Sequence, residues 1–145
     1  MPAVLRALLI ALTFAVALAG CKRDAPEQAL RRDIATMQSA IESRDAGALA
    51  DGLAEDFIGP GGMDRTQARR FAQVVFLRNQ TVGATFGPMD IAIQGEGATV
   101  KFTAAVTGGA GGLLPESGHV YDVTTGWRMV DGDWLLVSAE WAPKL

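Results

Sequence analysis

The chain has 145 residues, 49% of them hydrophobic and 20% charged. That is enough apolar side chain for one packed domain and too much for a disordered chain. Its 13 Lys and Arg face 16 Asp and Glu, a formal charge of −3, so an acidic balance makes nucleic acid a poor partner. One Cys and one His exclude an intramolecular disulfide, a Cys-based metal cluster and every His-pair motif. No metal and no cofactor is expected.

Arg6 is the only charge before Cys21, and Ala7 to Ala19 form an apolar run. The run has the length of a signal-peptide core and falls short of the ~20 residues of a spanning helix. It ends in Leu18-Ala19-Gly20-Cys21, which resembles a bacterial lipobox. That resemblance implies acylation of Cys21, which then starts the mature chain. Ordinary cleavage after Ala17-Leu18-Ala19 also fits the small-x-small pattern and stays open. Residue 22 is Lys rather than Asp, and the resemblance then implies the outer membrane rather than the inner. The expected division is a leader over 1–20, a tether over 21–27 and one domain over 28–145. The expected location is the periplasmic side of the cell envelope, with the membrane reached through a lipid at Cys21.

A helix pattern begins at Pro26, a residue suited to a first turn. Leu30, Ile34, Met37 and Ile41 form one apolar stripe at helical spacing. Asp45-Ala46-Gly47 restarts the chain into a short second helix over residues 48–53. Phe57-Ile58 reads as a short strand and Gly59-Pro60-Gly61-Gly62 as a loop. Asp64-Arg65-Thr66-Gln67 resembles a capping box opening a third helix, with Ala68, Phe71, Val74 and Val75 at helical spacing. Strand patterns follow. Thr85–Gln94 and Ala98–Thr107 flank Gly95-Glu96-Gly97, and Gly118–Val130 and Trp134–Ala142 flank Asp131-Gly132-Asp133. The Gly108–Gly112 run lacks the Lys-Ser/Thr ending and the helix of a phosphate loop. Helices first and an antiparallel meander after them predict α+β, with a curved sheet wrapped against three N-terminal helices.

This order, the Ala54-Glu55-Asp56-Phe57 segment and the run Gly126-Trp127-Arg128-Met129-Val130-Asp131-Gly132-Asp133-Trp134-Leu135-Leu136-Val137 resemble the nuclear transport factor two-like (SnoaL-like) superfamily. The resemblance covers residues 28–142. It implies a cone-shaped cystatin-like domain with a pocket between helices and sheet. It implies no reaction, because the fold hosts isomerases, dehydratases, epoxide hydrolases and non-catalytic modules. The family's mechanisms do not transfer intact. The first helix has Met37 and no Tyr, His119 stands alone, and Arg128 is not followed by an Arg-x-Asp acid.

Alternation puts His119, Tyr121, Val123, Thr125, Trp127 and Met129 on one face of a strand, and Val120, Asp122, Thr124, Arg128 and Val130 on the other. The first set, with Met37, Phe71 and Glu140, is the expected pocket lining. Glu140 shares a face with Trp134, Leu136 and Ser138, so Glu140 and His119 are the candidate acid–base pair. Leu135, Val137 and Trp141 then form a second apolar face, which a homodimer would cover. The reading is a lipid-anchored envelope domain that binds a small apolar ligand or a protein partner without catalysis. A SnoaL-like isomerase or hydrolase using Glu140 and His119, and a structural dimerisation module, stay open as alternatives.

Overall fold

The computed structural model describes residues 25–110 and 117–144. Leader, lipobox, Cys21 and part of the glycine-rich connection lie outside the described residues. Three helices precede or interrupt six strands: α1 (Pro26–Glu42), α2 (Ala46–Asp51), β1 (Leu53–Ile58), α3 (Arg65–Arg78), β2 (Thr81–Phe86), β3 (Asp90–Gln94), β4 (Gly97–Gly109), β5 (Ser117–Val130) and β6 (Asp133–Pro143). The architecture is α+β, with three helices against one curved sheet.

Each helix starts where its sequence favours a first turn. Pro26 fills the first turn of α1. The Asp45 side chain accepts from the Ala48 N–H at 2.9 Å at the start of α2. Asp64 and Gln67 form the full reciprocal capping box of α3, at 2.8 and 2.9 Å. The α1 stripe is inside: Leu30 and Ile34 are buried, and Met37 and Ile41 are half-buried.

The sheet runs β1-β6-β5-β4, with β2 and β3 end to end along the far edge of β4. All pairs are antiparallel except β1 with β6, which is parallel. The sequence pattern joined Thr85–Gln94 into one strand, but the chain leaves the ladder at Gly87-Pro88-Met89. Proline has no N–H for the ladder, so the strand divides there. Both hairpin turns have two residues rather than three. Gln94 pairs with Gly97 around Gly95-Glu96, where Gly95 has φ +60°. Val130 pairs with Asp133 around Asp131-Gly132, with φ +51° and +88°. Positive φ at both central residues is the type I′ pattern that Asp-Gly favours.

The main core joins Leu30 and Ile34 of α1 and Phe57 of β1 to Val100, Trp127, Trp134 and Leu136 of the sheet. A second cluster joins Ala72 and Phe76 of α3 to Val82 of β2, with Ile41, Leu49 and Val75 around it. Polar contacts fix α1 at both ends. Asp33 Oδ2 accepts from the Trp134 N–H at 2.9 Å, and Trp134 Nε1–H donates to the Pro26 carbonyl at 3.1 Å. Near the other end, Gln38 Nε2 donates to the Ala84 carbonyl at 2.7 Å.

Candidate functional site

The register of β4, β5 and β6 builds one wall on the helix-covered face. Trp127 pairs with Ala98 and Leu136, and Thr125 pairs with Val100 and Ala139. These six are all buried. Trp127 Nε1–H donates to Thr125 Oγ1 at 2.8 Å, and the Thr125 hydroxyl donates to the Val100 carbonyl at 3.1 Å, so the buried polar atoms of this floor are satisfied.

Farther along the strands the wall opens. Val123 pairs with Phe102 and Trp141, and Tyr121 with Ala104 and Pro143, while Phe86 pairs with Ala104. Because side chains alternate along a strand, these residues share the face of Trp127. The Phe86 and Phe102 rings lie 4.8 Å apart. His119 and Tyr121 stack at 6.1 Å with planes 27° apart. Phe86, Phe102 and Tyr121 are half-buried, and Trp141 is 41% exposed. The result is an aromatic wall continuous from a buried floor to solvent.

A bulge decides which side chains reach it. Gly126 pairs with Ser138 and Trp127 with Leu136, so Val137 is the extra residue of β6. A one-residue insertion reverses the facing of everything beyond it. Leu136 faces the core before the bulge, and Ala139 and Trp141 do so after it. This corrects the sequence reading at two places. Glu140 pairs with Thr124, is exposed, and lies on the outer face of the sheet rather than in the pocket. Trp141 leaves the expected outer apolar face and joins the wall.

The remaining expected lining residues divide. Trp127 and Tyr121 lie on the wall. Met37 is half-buried against the core, and a Cβ added at Gly52 would come within 2.8 Å of its Cε. Phe71 is a second correction. It is 52% exposed, because α3 turns Ala72 and Phe76 inward and Phe71 away. His119 is exposed on the wall's face, opposite in facing to Glu140.

Sequence reasoning missed Asp56. On the outer face, Arg128 Nη2 and Nη1 donate to Asp56 Oδ1 and Oδ2 at 2.7 and 3.2 Å. The Arg128 hydrogen bond, reinforced by its charge, holds the Asp56 carboxyl below its ordinary value. Arg128 also borders a shallow groove of about 480 Å³ with Gln94, Glu96, Thr99 and Ser138. Among the described residues, no group of three His, Cys, Asp or Glu could hold a metal ion.

No family model and no curated protein matches this chain. Solved structures do. A proposed scytalone dehydratase from Novosphingobium aromaticivorans superimposes with a TM-score of 0.74 at 14% identity, over 82% of this chain and 84% of that one. The fold is cystatin-like, of the nuclear transport factor two-like kind. A second neighbour is a proposed dehydratase from the NTF2-like family of Streptomyces avermitilis, with a TM-score of 0.69 at 17% identity over 81% and 95% of the two chains. Bdellovibrio bacteriovorus Bd1075 matches with a TM-score of 0.72 at 15% identity over 81% of this chain, which spans only 41% of that protein.

Proposed function

We propose that this protein is a lipid-anchored domain of the bacterial cell envelope that binds a small apolar, ring-bearing molecule on the helix-covered face of its sheet. The observation that carries the binding reading is the wall of Phe86, Phe102, Tyr121, Val123 and Trp141. It is apolar, partly solvent-facing and continuous with a satisfied floor, the composition of a small-molecule site. Aromatic rings on the ligand would stack on it with the offset or edge geometry such rings favour. The anchor rests on the sequence from Arg6 to Cys21.

An acid–base enzyme is the weaker reading. It needs His119 and Glu140 to converge, and the bulge turns them to opposite faces. The bulge also takes Trp141 from the outer face, which leaves Leu135 and Val137 as the apolar part of β6 for a second copy to cover.

Native mass spectrometry of the processed chain tests binding and assembly together. A co-purifying small molecule that is absent from Trp141→Ala supports the site. An empty protein whose fluorescence no aromatic ligand perturbs overturns it. The anchor has its own test: fatty-acid labelling in cells should mark the wild type, whereas Cys21→Ser should lose the label and accumulate precursor, because acyl transfer needs the sulfur. Equal labelling of both forms refutes the lipobox.

A further inference from the structure

Helix α3 has two unlike faces. One carries Ala72 and Phe76 into the second core cluster. The other exposes Phe71, Val74 and Leu77, at 52%, 45% and 86%. These three recur every third residue and form one stripe. Arg70 and Arg78 stand four residues before and after Val74, so guanidinium groups interleave with the stripe. No Asp or Glu occurs between Arg65 and Arg78, and no described carboxylate forms an ion pair with Arg70 or Arg78. Arg44 adds a third cation at the end of the helix, donating to the Phe76 and Asn79 carbonyls at 3.1 Å each. Beside it a hollow of about 410 Å³ is bounded by Arg44, Gln73 and Leu77.

The pattern specifies its occupant by charge and shape. A second copy paired through this stripe would bring arginine against arginine, and like charges across an interface are costly. Three apolar side chains also fall well short of the ~800 Å² per partner of a stable interface. An anionic bilayer surface fits both features: phosphates meet the guanidinium groups, and the acyl boundary beneath takes the apolar side chains.

We propose that α3 is a membrane-surface helix for anionic phospholipid. Phe71, Val74 and Leu77 enter the headgroup boundary, while Arg70 and Arg78 hold phosphates bidentately. This stands on α3 alone. An acyl group at Cys21, part of the proposed function, supplies a second membrane signal, and two signals convert marginal binding into stable binding.

The test uses the full chain carrying Cys21→Ser, so that no acyl group contributes and the anchor's failure is read separately. Binding is measured to vesicles of phosphatidylcholine alone and mixed with phosphatidylglycerol. The expected result is a preference for the anionic vesicles that added salt suppresses. Arg70→Gln with Arg78→Gln should reduce that preference by roughly fivefold per guanidinium at low salt. The leader is common to all variants and cancels from the ratio. A solvent-sensitive dye on Leu77→Cys should brighten with anionic vesicles, while circular dichroism stays unchanged. Equal binding to both vesicle types, or a preference untouched by the double Gln variant, overturns the proposal. So does concentration-dependent self-association that Leu77→Ser abolishes without any vesicle preference.

Discussion

Asp56 of β1 and Arg128 of β5 join through two hydrogen bonds, at 2.7 and 3.2 Å, although β6 lies between their strands. The pair spans the parallel edge of the sheet. The guanidinium stabilises the ionised carboxylate, so the folded pKa of Asp56 lies below its unfolded one. The sign follows from linkage. The contribution to stability is complete above the unfolded value of about 3.8 and is lost as pH falls through the folded pKa. Carboxyl NMR titration should show a depressed Asp56 pKa that rises in Arg128→Gln. Because the pair is solvent-exposed, added salt should move the wild-type value the same way. An Asp56 that titrates identically in both proteins refutes the pairing in solution.

The bulge at Val137 makes a sharper prediction about β6. Glu140 is exposed on the outer face, so Glu140→Gln should change stability by no more than about 0.5 kcal/mol. Val137→Ala keeps the extra residue and should cost about 1 kcal/mol for the methyl groups removed from a half-buried site. Deleting Val137 should leave the facings intact, because Leu136 still pairs with Trp127, Ser138 then follows it opposite Gly126, and Ala139 and Trp141 keep the core face in a regular ladder. Deleting Ala139 instead leaves the bulge in place and should do far more damage, because it would turn Trp141 outward and bring Glu140 opposite Thr125 into the apolar interior. Chemical denaturation of the variants checks the ranking. A Val137 deletion as damaging as the Ala139 deletion would show that Val137 is not the unpaired residue.

The sequence exposed what short-range physics controls. Helical spacing located α1 through Leu30, Ile34, Met37 and Ile41, and the Asp-Gly turn located the β5–β6 hairpin. Asp64 and Gln67 gave the start of α3. Alternation along β5 also placed Tyr121 and Trp127 on the wall. The failures at Glu140, Trp141 and Asp56 share one cause, which is long-range pairing. Strict alternation along β6 assumes an unbroken ladder, and nothing within residues 134–141 announces an unpaired Val137. Asp56 and Arg128 are 72 positions apart, so their meeting depends on β1 running parallel to β6. Phe71 was assigned by the period of α3, and that period cannot tell which of two apolar faces turns inward.

Asp33 links α1 to the last hairpin. Its carboxylate accepts from the Trp134 N–H at 2.9 Å, a contact between residues 101 positions apart in a part-buried setting. Asp33→Ala leaves that N–H without its partner and should cost about 1–3 kcal/mol. Asp33→Asn keeps an acceptor oxygen and should recover part of the loss. Amide exchange at Trp134 provides a local readout, and it should accelerate in Asp33→Ala. Unchanged exchange there would mean the contact does not hold the helix to the hairpin.

Thr125 and Trp127 test the floor of the wall. Both are buried, at 5% exposure each. The Thr125 hydroxyl accepts from the indole N–H at 2.8 Å and donates to the Val100 carbonyl at 3.1 Å. Thr125→Val is close in shape but removes both roles. The indole N–H is then left buried and unpaired, at a cost of about 1–3 kcal/mol. Trp127→Phe removes the orphaned donor but also empties part of the core, where a truncated aromatic leaves a cavity. In the Thr125→Val, Trp127→Phe double variant no indole N–H is left to satisfy. Its total cost should therefore be smaller than the sum of the single costs, by an interaction energy of about 0.5–3 kcal/mol. Denaturant unfolding of the four proteins measures that coupling. Strict additivity would show that the hydrogen bond contributes nothing to the floor. The aromatic wall would then owe its rigidity to packing alone.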